Sequence, residues 1–453
     1  MIDMIWNFVS FVVALGILVT IHEYGHFWVA RKLGVKVLTF SVGFGKPILQ
    51  KIGKDGVRYV IAAIPLGGYV KMLDEREYED SDISEEDKPF AFNRKPVWAR
   101  MAIVLAGPVA NFILAIVLYW WMFILGVNGL IPVVGDVPEN TIAFEAGLKK
   151  DDLILAIDGE PIITTQDLVE GLVKRLGDKT LISLSVKRKG FTQPQSLSLN
   201  IAQWKVNDEK PEILKSLGIY NPLEVLSTQL NDISPQGAAD KAGLQVGDVI
   251  TQIDTVTVNK WRELVSVVES IPNKSTMIQV DRKGELMNIS VVIGSQEDNG
   301  KLKGLLGVRP KAVDPTPFII TQKVGVLDAL VLANQTAYKK IILTVQLFKK
   351  LLIGDISHKS ISGPFSIAKG AGTSASYGLV AFLSFLAMIS VNLGFINLLP
   401  VPMLDGGHLL YFTIEAIKGK PLSQKMQEFG LQIGMMLVFL LMAVAIYNDI
   451  VVH

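Results

Sequence analysis

Cysteine is absent from the 453 residues, which excludes disulfides and any thiolate-held metal. Net charge is nearly absent as well, at +1, so composition offers nothing that would recruit nucleic acid. Histidine is scarce, with five in the chain. What is abundant is apolar: half of the residues are hydrophobic and the mean hydropathy is +0.39. Several membrane spans with polar domains between them account for that balance.

Two of the five histidines stand in one motif, His22-Glu23-x-x-His26, near the end of an apolar run that begins at Met4. On a helix, residues four apart share a face, with Cβ atoms about 5–6 Å apart. Both imidazoles can then reach one tetrahedral Zn²⁺, and Glu23 can approach a water held by that metal. Chance would produce this frame on the order of once in a few hundred such sequences. The plainer reading is two satisfied core histidines and a surface glutamate. Against it stands the setting, since ionisable side chains at the end of a membrane-length segment are rare and usually functional.

Span one runs from Met4 to Ala30. It lacks a basic n-region and a small-x-small cleavage site, so it reads as a retained span. Arg31 and Lys32 follow it, and basic residues continue to Arg100. By the positive-inside tendency the N-terminus is outside and the histidine motif lies near the cytoplasmic side. The acidic cluster between Asp74 and Asp87 reads as a solvated loop. Ser41 to Lys46 and Gly56 to Met72, rich in β-branched, aromatic and glycine residues, predict short strands and hairpins. A free edge at Tyr69, Val70 and Lys71 could bind an extended substrate by strand addition, or the hairpin could simply pack on the helices. Span two, Met101 to Val127, contains Gly107-Pro108-x-x-Asn111. Its proline frees a carbonyl and its asparagine needs a partner, near the metal or within helix packing.

From Gly129 to Pro310 the membrane signal stops and a repeat begins, with 145–158 aligning on 241–254. Two α/β domains are expected, with helices at Gln166 to Arg175 and Trp261 to Glu269. The Ala-Gly-Leu-x-x-Gly-Asp-x-Ile pattern resembles PDZ domains of bacterial proteases, although Asp151 replaces the glycine found at Gly247. Leu217-Gly218-Ile219 is a candidate carboxylate-binding loop for the second copy. Thr316 to Ile353, with Lys339, Lys340, Lys349 and Lys350, predicts an amphipathic helix at the membrane surface. Ser362 to Ser376 reads as a loop. Span three runs from Leu379 to Leu399 and span four from Phe429 to Tyr447, returning the C-terminus to the outside.

A catalytic zinc commonly takes three protein ligands. Asp405, beyond the inner end of span three, sits at a matching depth, and an unpaired aspartate there would cost about 2.5–3.5 kcal/mol. His408 is a rival on the same face, and a helix cap is the structural alternative for Asp405.

Taken together, His22-Glu23-x-x-His26, Gly107-Pro108-x-x-Asn111, Asn397-x-x-Pro400 to Leu404-Asp405-Gly406-Gly407 and the intervening repeat resemble the site-2 protease family of intramembrane zinc metalloproteases, in its proteobacterial form. The resemblance implies that His22, His26 and Asp405 bind zinc and that Glu23 is the general base. It implies that Asn397 contacts the substrate backbone or oxyanion, and that the PDZ pair screens substrates by size. It further implies substrates that are single-span membrane proteins, such as a membrane-bound anti-sigma factor of the envelope stress response and remnant signal peptides. The expected fold is a multi-pass α-helical membrane protein of about four transmembrane helices, with a membrane-associated β-hairpin region and two tandem α/β PDZ domains, in the bacterial inner membrane. Expected boundaries are 1–31, 32–96, 97–127, 128–219, 220–310, 311–377, 378–415 and 416–453, and both termini and the PDZ pair are expected in the periplasm. The competing reading is a non-catalytic PDZ-containing receptor with a degenerate metal site. A transporter would show paired broken helices and an inverted repeat, neither of which is visible.

Overall fold

The computed structural model describes residues 2–77, 83–206, 212–298 and 301–451. The expected acidic loop falls partly on residues 78–82, outside the described residues. The chain divides into two units, one built from Met1–Asn128 and Thr321–His453, the other from Gly129–Asn207 and Pro211–Ile320.

The first unit opens with α1 (Ile2–Lys32), whose last turn carries Arg31 and Lys32 at the favourable end of the helix dipole. It leads into β1 (Val37–Ile52) and β2 (Arg58–Met72). The expectation of short strands is corrected here to two long, bent ones. Residues 37–42 pair on one side with 68–72 and on the other with 58–61, which also pair with 49–52. Two strands thus make a sheet four rungs wide, with 68–72 at one edge. Phe40 and Val37 seal its near end onto Phe27 and Ala30 of α1.

α2 (Val97–Leu125) contains the buried Pro108 and Asn111. After the second unit come α3 (Val326–Ile353), α4 (Pro364–Ser376), α5 (Leu379–Asn397), α6 (Asp405–Lys418) and α7 (Gln424–Val451). Among the described residues, four helices are long and apolar enough to cross a membrane: Asp3–Lys32, Val97–Leu125, Leu379–Asn397 and Gln424–Val451. Their outward faces remain apolar, as at Phe439 and Leu440 of α7, which a lipid solvent requires.

Two further expectations are revised. α3 does not stand apart as a surface helix: Ala329, Ala333 and Ala337 form a small-residue face buried with Tyr119, Met122 and Phe123 of α2. Small side chains let two helix backbones approach closely, and Thr344 of α3 reaches Asn392 of α5 at 3.0 Å. The Gly- and Ser-rich stretch expected as a loop is α4. Pro364 opens it, and the Asp449 carboxylate of α7 accepts hydrogen bonds from the N–H groups of Gly363, Phe365 and Ser366. A cap supplied from 83–86 residues away thus overrides weak local propensity.

In the second unit the repeat is architectural. Strands Glu160–Pro161, Leu153–Ile157, Leu181–Lys187 and Gln195–Asn200 lie side by side in that order, as do Val256–Thr257, Val249–Ile253, Ser275–Arg282 and Glu285–Val292. Helices Thr165–Val173 and Trp261–Ser270 bury Leu168 and Leu264 onto the respective cores. Each copy carries the same buried ion pair. Arg188 grips Asp152 (2.8 and 2.7 Å) and Arg282 grips Asp248 (both 2.7 Å). Leu217-Gly218-Ile219, expected to serve the second copy, belongs instead to the first, whose core holds Leu217 and Ile219. The second copy has its own counterpart, Leu306-Gly307-Val308, packed on the second core.

Asp152 is fully buried, so Arg188→Met leaves a carboxylate with no cation. We expect the first repeat to lose about 3–5 kcal/mol, read as a lowered urea midpoint. An unshifted midpoint would mean that the pair contributes nothing to folding.

Candidate metal centre

Helical spacing puts His22 and His26 on one face of α1, their Nε2 atoms 3.2 Å apart. Asp405, the first residue of α6, brings its Oδ2 to 3.2 Å from Nε2 of His22 and 3.5 Å from Nε2 of His26. That oxygen is buried without a hydrogen-bond partner. Tetrahedral zinc with bonds of about 2.0–2.1 Å requires ligand atoms about 3.3–3.5 Å apart. The observed separations fit that requirement. Among the described residues, His22, His26 and Asp405 are the one group of side chains disposed to hold a metal ion, so His408, the rival ligand, falls outside it.

The outer nitrogens of both rings are also engaged. His26 Nδ1 lies 2.8 Å from the Ile103 carbonyl oxygen, to which it donates, leaving Nε2 free to ligate. His22 Nδ1 lies 3.1 Å from the side-chain amide of Asn111, which is fully buried. Of the two settings the sequence allowed, Asn111 thus lies beside the metal-site ring of His22. Gly107 explains how α2 passes so close: a Cβ there would lie 2.2 Å from His26 Nε2.

A cavity of about 740 Å³ opens onto the triad, and the other site candidates, Glu23, Tyr69, Val70, Lys71 and Asn397, all line it. The β2 edge runs directly over Glu23, since a Cβ on Gly68 would lie 3.0 Å from Glu23 Cγ. Asn397 Nδ2 lies 3.5 Å from His22 Nε2. Tyr69 stacks on Phe44, with ring centroids 6.2 Å apart. Sequence reasoning missed Arg100 and Glu415, a buried ion pair on the same wall. A signal was present, because a cation at the border of an apolar run calls for a partner.

A His-Glu-x-x-His helix meeting a distant carboxylate, within a unit of membrane-length apolar helices, defines a membrane metalloprotease. The chain belongs to peptidase family M50, the site-2 proteases, whose pattern covers residues 10–441. It is 43% identical over 450 residues to the regulator of sigma-E protease RseP of Escherichia coli, covering 99% of each chain. It is 44% identical over 451 residues, again 99% of each, to a Vibrio cholerae protein whose name describes it provisionally as a zinc metalloprotease. A regulator of sigma E protease of Haemophilus influenzae is 40% identical over 98% of both chains.

Proposed function

We propose that the protein is a zinc-dependent intramembrane endopeptidase of the bacterial inner membrane that cleaves single-span membrane proteins. The observation that carries this reading is the convergence of His22, His26 and Asp405 at tetrahedral separations, beside Glu23 and the 68–72 strand.

His22, His26 and Asp405 would hold the ion, which when bound supplies an acidified water and polarises the scissile carbonyl. Glu23 takes the proton from the attacking water and returns it to the leaving amine. The Asn397 amide donates toward the substrate carbonyl. A peptide bond inside a helix is shielded by its own turns, so the substrate must be unwound locally. Among the described residues, 68–72 form one edge of the β1–β2 sheet, and strand addition there would hold it extended.

The two repeats act as PDZ domains that exclude substrates with bulky outer portions. Together with both termini they lie in the periplasm, and the metal centre lies near the cytoplasmic side. The substrates proposed are an anti-sigma factor of the envelope stress response, which the relatives' description as regulators of sigma E supports, and remnant signal peptides.

The test is cleavage of a model single-span substrate by the purified chain in detergent, with metal analysis alongside. Chelation should stop cleavage and added Zn²⁺ restore it. Adjacent residues of a strand point their N–H groups to opposite sides, so Val70→Pro and Lys71→Pro together interrogate both. We expect at least one to slow cleavage about tenfold or more at unchanged zinc content. Wild-type rates in both variants would remove the strand-addition step.

A further inference from the structure

α2 supplies none of the three donor side chains, yet one face of it reaches both imidazoles and the helix that carries the carboxylate. The Ile103 carbonyl faces His26 and the Asn111 amide faces His22. One turn before Ile103, Arg100 reaches α6, the helix that begins with Asp405. Its Nη1 and Nη2 donate to the two carboxylate oxygens of Glu415 at 3.1 and 2.6 Å, and its Nε donates to the Lys95 carbonyl at 3.0 Å. The guanidinium also lies 4.9 Å from the ring centre of Phe412, one turn before Glu415. Both charged side chains are nearly buried, 9% and 13% exposed.

On α6, Asp405, Phe412 and Glu415 stand at i, i+7 and i+10, within one stripe. Glu415 is about 15 Å along the axis from Asp405. Residues 398–404 break the chain between α5 and α6, so α5 alone does not determine how far α6 is rotated or advanced. A forked, bidentate Arg–carboxylate contact does, because its geometry tolerates little sliding or rotation. Net stability is a poor reason for this pair, since apolar residues of similar volume stabilise a buried site as well or better. Directionality is what an apolar pair would lack.

We propose that Arg100 and Glu415 are positioning residues that set the register of α6 on α2, so that the Asp405 carboxylate meets the two imidazoles. The proposal rests on the reading that His22, His26 and Asp405 hold zinc. The full-length chain, stripped of metal in detergent, would be titrated with Zn²⁺ against a competing chelating indicator. Wild type, Arg100→Gln, Glu415→Gln and the exchange Arg100→Glu with Glu415→Arg would be compared, and the melting temperature of each recorded. Each single variant should bind zinc about 10–100-fold more weakly, and the exchange should recover to within about threefold of wild type. Folded single variants that bind zinc as tightly as wild type overturn the proposal, as does an exchange that fails to restore binding. If a single variant does not fold, Glu415→Asp decides, because it keeps the charge but withdraws the carboxylate by one methylene. Weaker zinc binding at a wild-type melting temperature then supports the proposal, and unchanged binding overturns it. A wild-type chain that takes up no zinc would sink the metal reading and this proposal together. Tight binding by wild type and variants alike would sink the proposal alone.

Discussion

Glu23→Gln is expected to slow cleavage on the order of 10²–10⁴-fold while zinc content and substrate KM stay near wild type. Glutamine keeps the volume of the side chain beneath Gly68 and leaves the neighbouring His22 undisturbed. What it loses is the ability to accept a proton from the attacking water and hand it to the amine. An interaction made only in the transition state lowers kcat and kcat/KM together. Single-turnover cleavage of a single-span substrate, with metal analysis of the same sample, separates the possibilities. Cleavage at the wild-type rate would reject Glu23 as the base. Loss of zinc in the variant would mean that Glu23 supports the metal rather than the proton transfer.

The second large effect concerns Asp405. Asp405→Ala should weaken zinc binding by more than about 100-fold, since even outer-shell partners of a metal site are worth 10–100-fold. Cleavage should fall with it. A helix-capping role predicts a different pattern: about 1 kcal/mol of stability lost, zinc unaffected, and rescue by asparagine, which caps as well as aspartate. The structure already weighs against capping. The residue at the cap of α6 is Leu404, with no side-chain capping bond, and Asp405 Oδ2 has no hydrogen-bond partner. Asp405→Asn is therefore the decisive variant. Full zinc affinity in that protein would remove Asp405 from the ligand set.

The parts of this site that were legible beforehand are those that depend on local geometry. Placing His22 and His26 on one face needs only a helix, and a helix needs only the apolar run around them. The apolar helices were legible because hydropathy is a property of a segment by itself. The repeat was legible because both copies write the same turn and strand pattern. Where reading failed, a distant contact had the deciding role. Ser362 to Ser376 looks like a loop until Asp449 caps it. Thr316 to Ile353 looks like a surface helix until its alanines meet Tyr119 and Met122. Leu217-Gly218-Ile219 sits near the sequence of the second repeat but packs into the first.

By its sequence alone the protein determined the chemistry available to it: two imidazoles and a carboxylate in one frame, no thiol, and apolar helices of membrane length. Only the tertiary structure brings a distant carboxylate, that of Asp405, within reach of both imidazoles. Asp405 and His408 lie three residues apart on one helix, and the choice between them depends on the rotation and advance of α6. α6 packs against α2, and an ion pair between the two helices closes across 315 residues. Hydrophobic pattern says that a helix is buried or spans. It carries no information on register at the precision of a metal bond, and that precision comes from directional contacts made after the helices meet.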